Sequence, residues 1–292
     1  MHIIEGVTMN SFKGLIHKDL IEEELKYSEV YRYLDKYMDD SIYSVTESFN
    51  NQMVKENSAI WIFWMQGMEH APKLVKKCFE SVCKNKPEGF DIILLSDKNL
   101  SEYIRMPEFI IEKYKKGYIS TTHFSDLVRL ELLSSYGGCW IDATVFCSGR
   151  IPIYMLSGEM FLFKASMMDN VVIKISNWWL ASNKSNRIIH AAKNILYTFW
   201  KNENVIVNYY LFHIIMSKLI DEDYQCNAIF RNIYYFNNSN PHVLQGKMGT
   251  EFNEKEWEVI KDISVVHKLT YKKKYIQGDL YNYYQALIDG RI

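Results

Sequence analysis

One stretch, Thr121–Cys147 (TTHFSDLVRLELLSSYGGCWIDATVFC), constrains the fold more than any other part of the chain. Its first part has the pattern of a helix, and the pair Gly137-Gly138 is expected to stop that helix. The run Cys139–Phe146 is apolar enough to form a buried strand, yet it contains an acid, Asp142. A carboxylate is costly there unless it is paired, bound to a cation or placed at the strand's end. Asp142 is therefore the first candidate functional residue, and the alternative is a structural aspartate at a strand–loop corner.

Strands and helices alternate along the chain after residue 58, and this alternation predicts an α/β domain built on a parallel sheet. The runs 59–64 and 90–95 are continuously apolar, as in strands that helices cover on both faces. Ligands of open α/β sheets bind beyond the carboxyl ends of the strands. We therefore expect the loop Trp64–Gly67, the segment Ser96-Asp97 and Asp142 to share one pocket.

The N-terminal part of the chain, residues 1–57, is predicted to be a helical extension of a main domain that spans residues 58–292. Apolar side chains recur with helical spacing from Lys18 to Met38, whereas the other side of this segment is charged. A shorter helix is predicted over residues 42–54, and residues 1–17 show no period and are expected to be irregular.

Charge and cysteine content exclude some classes of protein. The net charge is −1, which gives no case for a nucleic-acid-binding protein. The five cysteines include no C-x-x-C pair, as is typical of reduced thiols in a cytoplasmic protein. No basic and apolar leader begins the sequence, and no run approaches the ~20 apolar residues that span a bilayer. We expect a cytoplasmic protein and leave peripheral contact with the inner face of the membrane open. The oligomeric state cannot be read from the sequence.

Asp126 and Arg129 precede the Asp142 segment and, at i and i+3, share one helix face. Such pairs are commonly surface ion pairs that contribute little to stability. Their position beside the Asp142 segment favours a functional interpretation as well. A carboxylate accepts hydrogen bonds from sugar hydroxyls, and a guanidinium binds phosphate or orients a second carboxylate.

Three motifs follow one another in the chain: W-x-Q-G from Trp64, S-D-x-x-R from Ser125, and Y-G-G-x-x-I-D-x-T from Tyr136. In this order the sequence resembles the capsular polysaccharide synthesis glycosyltransferases. That family belongs to a group of sugar transferases with a DxD motif, which includes yeast-type mannosyltransferases and the clostridial glucosylating toxins. The resemblance is clearest over residues 60–146 and is weaker at Val266–Thr270.

The resemblance implies a GT-A fold, Rossmann-like with a mostly parallel sheet flanked by helices. It also implies a nucleotide-sugar donor, with a UDP-sugar favoured over a GDP-sugar, and retention of configuration at the anomeric carbon. In the toxins the position of Trp64 stacks on the base, and the positions of Asp126 and Arg129 bind the donor sugar. Related enzymes have an acidic or amide residue near Asn208 that faces the acceptor, so Asn208 joins Asp126, Arg129 and Asp142 as a catalytic candidate. The motifs and the strand ends predict donor-binding residues at Trp64, Gln66, Gly67, Ser96, Asp97, Asp126, Arg129, Gly138, Asp142, Ala143, Thr144 and Lys268.

The resemblance further implies Mn²⁺ or Mg²⁺ at the DxD motif. Asp142 occupies the first acidic position, but Thr144 stands where the directly ligating second acid is expected. A hydroxyl is a poor substitute for a carboxylate on a hard cation, although the capsular branch often reads D-A-T here. GT-A enzymes often add a late histidine to the metal, so the expected ligands are Asp142, Thr144 and His267. For His267, a structural histidine near the core is the alternative.

The predicted function is sugar transfer from a nucleotide-diphosphate sugar to a glycan or a lipid-linked oligosaccharide in the synthesis of a capsular or surface polysaccharide. A nucleotidyl- or phosphosugar transferase would need a glycine-rich phosphate loop after the first strand, and the segment Met65–Met68 does not provide one. The second alternative is a degenerate transferase that binds a sugar nucleotide or acts as a scaffold in a polysaccharide-assembly complex, because Thr144 replaces an acid.

Overall fold

The structure, a computed structural model, describes residues 18–45, 52–165, 172–275 and 280–292. The strands are β1 (Ala59–Phe63), β2 (Asp91–Leu95), β3 (Gly138–Ile141), β4 (Val145–Cys147), β5 (Met160–Lys164), β6 (Ile175–Ser182) and β7 (Val266–Lys268). The helices are α1 (Lys18–Tyr33), α2 (Lys73–Asn85), α3 (Glu108–Lys115), α4 (Thr121–Tyr136), α5 (Arg187–Asn202), α6 (Leu211–Glu222), α7 (Tyr224–Asn232), α8 (Val243–Lys247), α9 (Glu254–Ile263) and α10 (Tyr283–Ile288).

The central sheet has the strand order β2-β1-β3-β6-β5. Strand β1 pairs in parallel with β2 and β3, whereas β6 is antiparallel to both β3 and β5. Only β6 therefore runs against the other strands of this sheet, among the residues that the structure describes. The predicted α/β architecture, a mostly parallel sheet flanked by helices as expected for a GT-A fold, is confirmed.

The prediction of one continuous strand over Cys139–Phe146 is wrong, because a turn divides this segment into two strands. Strand β3 ends at Ile141, and a turn follows in which the Val145 amide donates to the Asp142 carbonyl at 3.0 Å. Strand β4 then leaves the central sheet and pairs antiparallel with β7 in a separate two-stranded ribbon. Asp142 consequently lies beyond the carboxyl end of β3, where the cost of burying a carboxylate inside a strand is avoided.

The helix before β3 begins and ends as the sequence predicts. The side chain of Ser120 caps its first turn, and Gly137 follows its last residue with a positive φ of 68°. Gly138 also has a positive φ, and a Cβ at this position would collide with the carbonyl oxygen of Ala59 in β1. Because only glycine allows both features, the pair brings β3 into close contact with β1.

The predicted N-terminal helix is confirmed as α1, followed by a 3₁₀ turn. Its buried Tyr27 joins the main core, and Lys218 of α6 forms an ion pair with Asp35. The irregular segment predicted for residues 1–17 and part of the helix predicted for residues 42–54 lie outside the described residues. The domain boundary after residue 57 stays a prediction. In the described part of the chain, no helix combines the length and the apolar character needed to cross a bilayer.

Candidate active site

A cavity of about 880 Å³ opens beyond the carboxyl ends of β1 and β3. Its walls come from the loops after these strands, the start of α4, strand β6, the start of α6 and the segment after β7. The predicted donor-binding residues that line it are Trp64, Gln66, Asp126, Arg129, Asp142, Ala143, Thr144 and Lys268. The strand-end geometry thus brings together residues that lie far apart in sequence.

Arg129 is the centre of a buried charged cluster on the floor of this cavity. Its Nη1 lies 2.5 Å from Asp126 Oδ1, and its Nη2 lies 3.2 Å from Asp142 Oδ1. The guanidinium also packs against the ring of Trp140, 4.7 Å from the centroid. Asp126 is 5% exposed and Arg129 is 3% exposed, so the surface-pair interpretation of these two residues is wrong. A guanidinium fixed by two carboxylates and an aromatic ring is pre-organised for a ligand.

Asp142 connects this cluster to the ribbon strand β7. Its Oδ2 accepts a hydrogen bond from Lys268 Nζ at 2.8 Å, and its Oδ1 accepts one from Trp140 Nε1 at 2.8 Å. Burial works to raise the pKa of Asp142, but the Lys268 ammonium and the Arg129 guanidinium outweigh it and hold that pKa below its ordinary value. Asp142 is therefore a carboxylate at neutral pH, and Lys268 also donates to Thr144 Oγ1 at 2.6 Å.

The residues present do not fit the divalent cation expected from the resemblance. The Lys268 ammonium lies within hydrogen-bond distance of both Asp142 and Thr144, the two oxygen donors expected to face a metal. No group of three His, Cys, Asp or Glu side chains that could hold a metal occurs within the described ranges. A hard cation such as Mn²⁺ or Mg²⁺ takes at least six ligands, usually with more than one carboxylate or phosphate oxygen among them.

The structure does not bring His267 to the cavity. Neighbouring side chains of a strand point to opposite faces, so Lys268 faces Asp142 while His267 faces the other way. The imidazole is 0% exposed, its Nε2 lies 2.9 Å from Ser148 Oγ, and it packs beside the rings of Phe146 and Trp257. His267 takes the structural position that was the alternative to a metal ligand.

Five other predicted residues do not line the cavity. Gly67 turns the loop after β1, where its amide donates to the Trp64 carbonyl at 2.9 Å. The Asp97 amide donates to the Met65 carbonyl at 3.0 Å, which ties the loop after β2 to the loop after β1. Of the other three, the Ser96 amide donates to Asn99 Oδ1 in the loop after β2, and Gly138 is buried at the start of β3. Asn208 precedes α6 and accepts a hydrogen bond from the Tyr210 amide.

The predicted set of site residues leaves out several residues of the cavity wall. Asn177 of β6 donates from Nδ2 to Asp126 Oδ1 at 3.0 Å, and Tyr209, Tyr210 and Tyr271 stand at the mouth. His213 of α6 also lines the cavity, and burial lowers its pKa to about 4, so its imidazole is neutral at physiological pH. The amide of Asn177 and the neutral imidazole of His213 suit hydrogen bonding to sugar hydroxyls.

Acidification should destabilise the protein through His267. Burial lowers the pKa of this group to about 4, whereas an unfolded histidine titrates near 6.5. Below about pH 6.5 the unfolded state gains a proton that the folded state does not, so stability is full above that pH and falls towards pH 4 by about 3 kcal/mol. Urea denaturation at several pH values should show a smaller acid loss in His267→Phe than in the wild type. The same change at the exposed His70 is the control, and equal slopes in both variants would contradict the assignment.

An α/β domain whose cavity joins aromatic side chains to Asp, Arg and Lys groups at strand ends can bind a phosphorylated, hydroxyl-rich ligand. A family model described as "Capsular polysaccharide synthesis protein" matches residues 14–287. The chain belongs to the capsular polysaccharide synthesis protein family.

Two curated relatives are similar in sequence to part of the chain. The O-glycosyltransferase braB of Annulohypoxylon truncatum is 27% identical over 183 residues, which cover 57% of this chain and 43% of the relative. The O-glycosyltransferase PaGT of Phomopsis amygdali is 23% identical over 159 residues, which cover 50% of this chain and 39% of the relative. The chain thus spans less than half the length of these curated relatives.

Two solved structures also share similarity with the chain. The PaToxG glycosyltransferase has a TM-score of 0.38 at 10% identity, covering 72% of this chain and 85% of that one. The apo-form glycosyltransferase GlyE of Streptococcus pneumoniae has a TM-score of 0.40 at 13% identity, covering 81% of this chain and 60% of that one.

Proposed function

We propose that this protein is a glycosyltransferase that moves a sugar from a nucleotide-diphosphate sugar to a glycan or a lipid-linked oligosaccharide during capsular or surface polysaccharide synthesis. The observation that carries the proposal is one cavity that is lined both by Trp64 and by the cluster of Asp126, Arg129, Asp142 and Lys268. An aromatic ring suits a nucleotide base, carboxylates suit sugar hydroxyls, and the two cations suit a diphosphate.

The chemistry requires a stabilised leaving group. The bond between the anomeric carbon and the diphosphate oxygen breaks, and its electron pair stays on that oxygen. The acceptor hydroxyl oxygen forms the new bond to the anomeric carbon, and its proton passes to the departing diphosphate. Arg129 and Lys268 are the fixed positive groups that face the developing negative charge. Asp126, Asn177 and His213 hold the sugar so that one face stays open to the acceptor.

The acceptor is proposed to enter over Tyr271. A second cavity of about 310 Å³ shares Pro72 and Tyr271 with the first and is also lined by Lys273 and Lys274. Aromatic rings beside lysine side chains suit a glycan, or an oligosaccharide carried on an anionic lipid diphosphate. This chemistry supports a cytoplasmic protein that works at the inner face of the membrane in peripheral contact.

Three finer parts of the proposal rest on the resemblance alone. They are a preference for a UDP-sugar over a GDP-sugar, retention at the anomeric carbon, and a glycan or lipid-linked oligosaccharide as the acceptor. A screen of UDP- and GDP-sugars for slow donor hydrolysis, with and without Mn²⁺, tests the activity directly. Nuclear magnetic resonance of the transferred sugar then reads the anomeric configuration.

The second candidate function is a sugar-nucleotide-binding or scaffold protein without turnover. The observation that favours it is Thr144, a hydroxyl where the DxD motif has its second acid. Calorimetry with UDP and GDP beside the hydrolysis screen separates the two candidates. Binding together with hydrolysis supports the transferase, whereas binding with no hydrolysis of any donor supports the scaffold.

Trp64→Ala should weaken the binding of the preferred nucleoside diphosphate. Loss of base stacking on an aromatic ring costs about 1–3 kcal/mol, or roughly 5- to 150-fold in affinity. Trp64 lines the cavity and packs against the ring edge of Tyr271 at 5.3 Å. Isothermal titration calorimetry measures the change, and Tyr224→Ala is the matched control, because Tyr224 is 87% exposed and lies outside the cavity. Unchanged affinity in the Trp64 variant would remove it from the base site.

A further inference from the structure

The ammonium of Lys268 lies where the resemblance expects a metal ion. It is 2.8 Å from Asp142 Oδ2 and 2.6 Å from Thr144 Oγ1, the two positions of the D-x-T motif. The pairing of β7 with β4 sets this position, because Lys268 lies opposite Val145, the residue after Thr144. The side chain lines the cavity and is 19% exposed, so a ligand can reach it.

We propose that the Lys268 ammonium, held by Asp142 and Thr144, is the resident cation of the diphosphate subsite and binds the nucleoside diphosphate without a divalent metal ion. This inference rests on the proposed function and adds to it the identity of the cation. During transfer, Lys268 donates hydrogen bonds to the departing diphosphate oxygen and keeps its proton. The acceptor's proton goes to the diphosphate, so charge and atoms balance without a further reactant.

The charges of the cluster agree with a monovalent cation. Asp126 and Asp142 supply two carboxylates, and Arg129 and Lys268 supply two positive charges that pair with them. The cluster is therefore neutral before a ligand binds. A divalent ion between Asp142 and Thr144 would stand next to the Lys268 ammonium, and the two cations would repel each other in a half-buried site.

The same arrangement explains why Thr144 is not an acid. A divalent ion is best held by several anionic oxygens, whereas one ammonium needs only one carboxylate for its charge. A second carboxylate at position 144 would leave an excess negative charge that faces the anionic diphosphate. The threonine hydroxyl instead accepts a hydrogen bond from Lys268 and adds no charge.

Calorimetry with UDP and GDP, in EDTA and in excess Mn²⁺, tests the inference on the full chain. For the wild type we expect dissociation constants that agree within about twofold in the two buffers, since no metal takes part. Lys268→Ala should bind at least about tenfold more weakly in EDTA, because a charge-assisted contact is lost. Lys268→Arg should retain part of the affinity, and Lys255→Ala, at an exposed lysine that does not line the cavity, should bind like the wild type.

A double variant provides the decisive comparison. Lys268→Ala combined with Thr144→Asp restores a D-x-D motif and removes the ammonium, and we expect it to bind the nucleotide only when Mn²⁺ is present. Circular dichroism confirms that each variant is folded. Wild-type binding that requires Mn²⁺ overturns the inference and leaves the proposed function standing. No binding of UDP or GDP by the wild type in either buffer overturns both.

Discussion

Replacing Asp142 with asparagine should lower donor hydrolysis at least about 100-fold, the usual scale for losing one pre-organised electrostatic group. Asparagine keeps the size of the side chain and can still accept the hydrogen bond from Trp140 Nε1. The negative charge that holds Arg129 Nη2 and Lys268 Nζ is lost, however. Both cations can then leave the positions from which they face the diphosphate. We therefore expect a large fall in the hydrolysis rate and only a small change in the free energy of unfolding.

Steady-state hydrolysis rates and a melting curve check this expectation together. The matched control is Asp223→Asn, because Asp223 is also a partly buried aspartate paired with an arginine, Arg187, but lies outside the cavity. The Asp223 variant should lose stability and keep its activity per folded molecule. Near-normal turnover in Asp142→Asn would remove Asp142 from the mechanism.

Arg129→Ala should lower the free energy of unfolding by about 3–5 kcal/mol, because removing one partner of a buried ion pair leaves an uncompensated charge. Here two carboxylates, those of Asp126 and Asp142, lose a positive neighbour. The guanidinium also fills the space between the rings of Trp140 and Phe212, at 4.7 and 5.3 Å from their centroids. The loss thus combines electrostatics with a cavity.

Urea denaturation measures the change, and Lys184→Ala is the control. Lys184 forms an ion pair with Glu56 on the surface, so its loss should cost no more than about 1 kcal/mol. Adding Asp126→Asn to Arg129→Ala removes one uncompensated charge and should recover part of the stability. Equal losses in the Arg129 and Lys184 variants would show that the buried cluster does not stabilise the fold.

The central stretch could be predicted from sequence because its signals are local. A helical pattern and two glycines predict α4 and its end. The strand end singles out Asp142, whereas the roles of Asp126 and Arg129 come from their place before it and from the resemblance. The break after Ile141 could not be predicted. Strand β4 is as apolar as β3, so the sequence alone does not show that β4 leaves the central sheet and joins the ribbon.

Two other features of the site depend on contacts that are distant in sequence. Choosing between His267 and Lys268 requires knowing which face of β7 meets the cavity, and the pairing with β4 determines that face. Asn177 reaches Asp126 only because β6 lies beside β3. Strand order is a property of the assembled sheet, so neither residue's role follows from its neighbours in the chain.

The ribbon of β4 and β7 holds Asp142 and Lys268 close together, although the two residues are far apart in sequence. Asp142 and Lys268 are 126 positions apart, yet the ribbon brings them together, because Lys268 pairs with Val145, three residues after Asp142. Small displacements of the helices between them in the chain should therefore change the distance between the Asp142 carboxylate and the Lys268 ammonium only a little. Insertions in the chain between the two strands can therefore change the cavity's outer wall while the ribbon keeps the spacing at its charged centre.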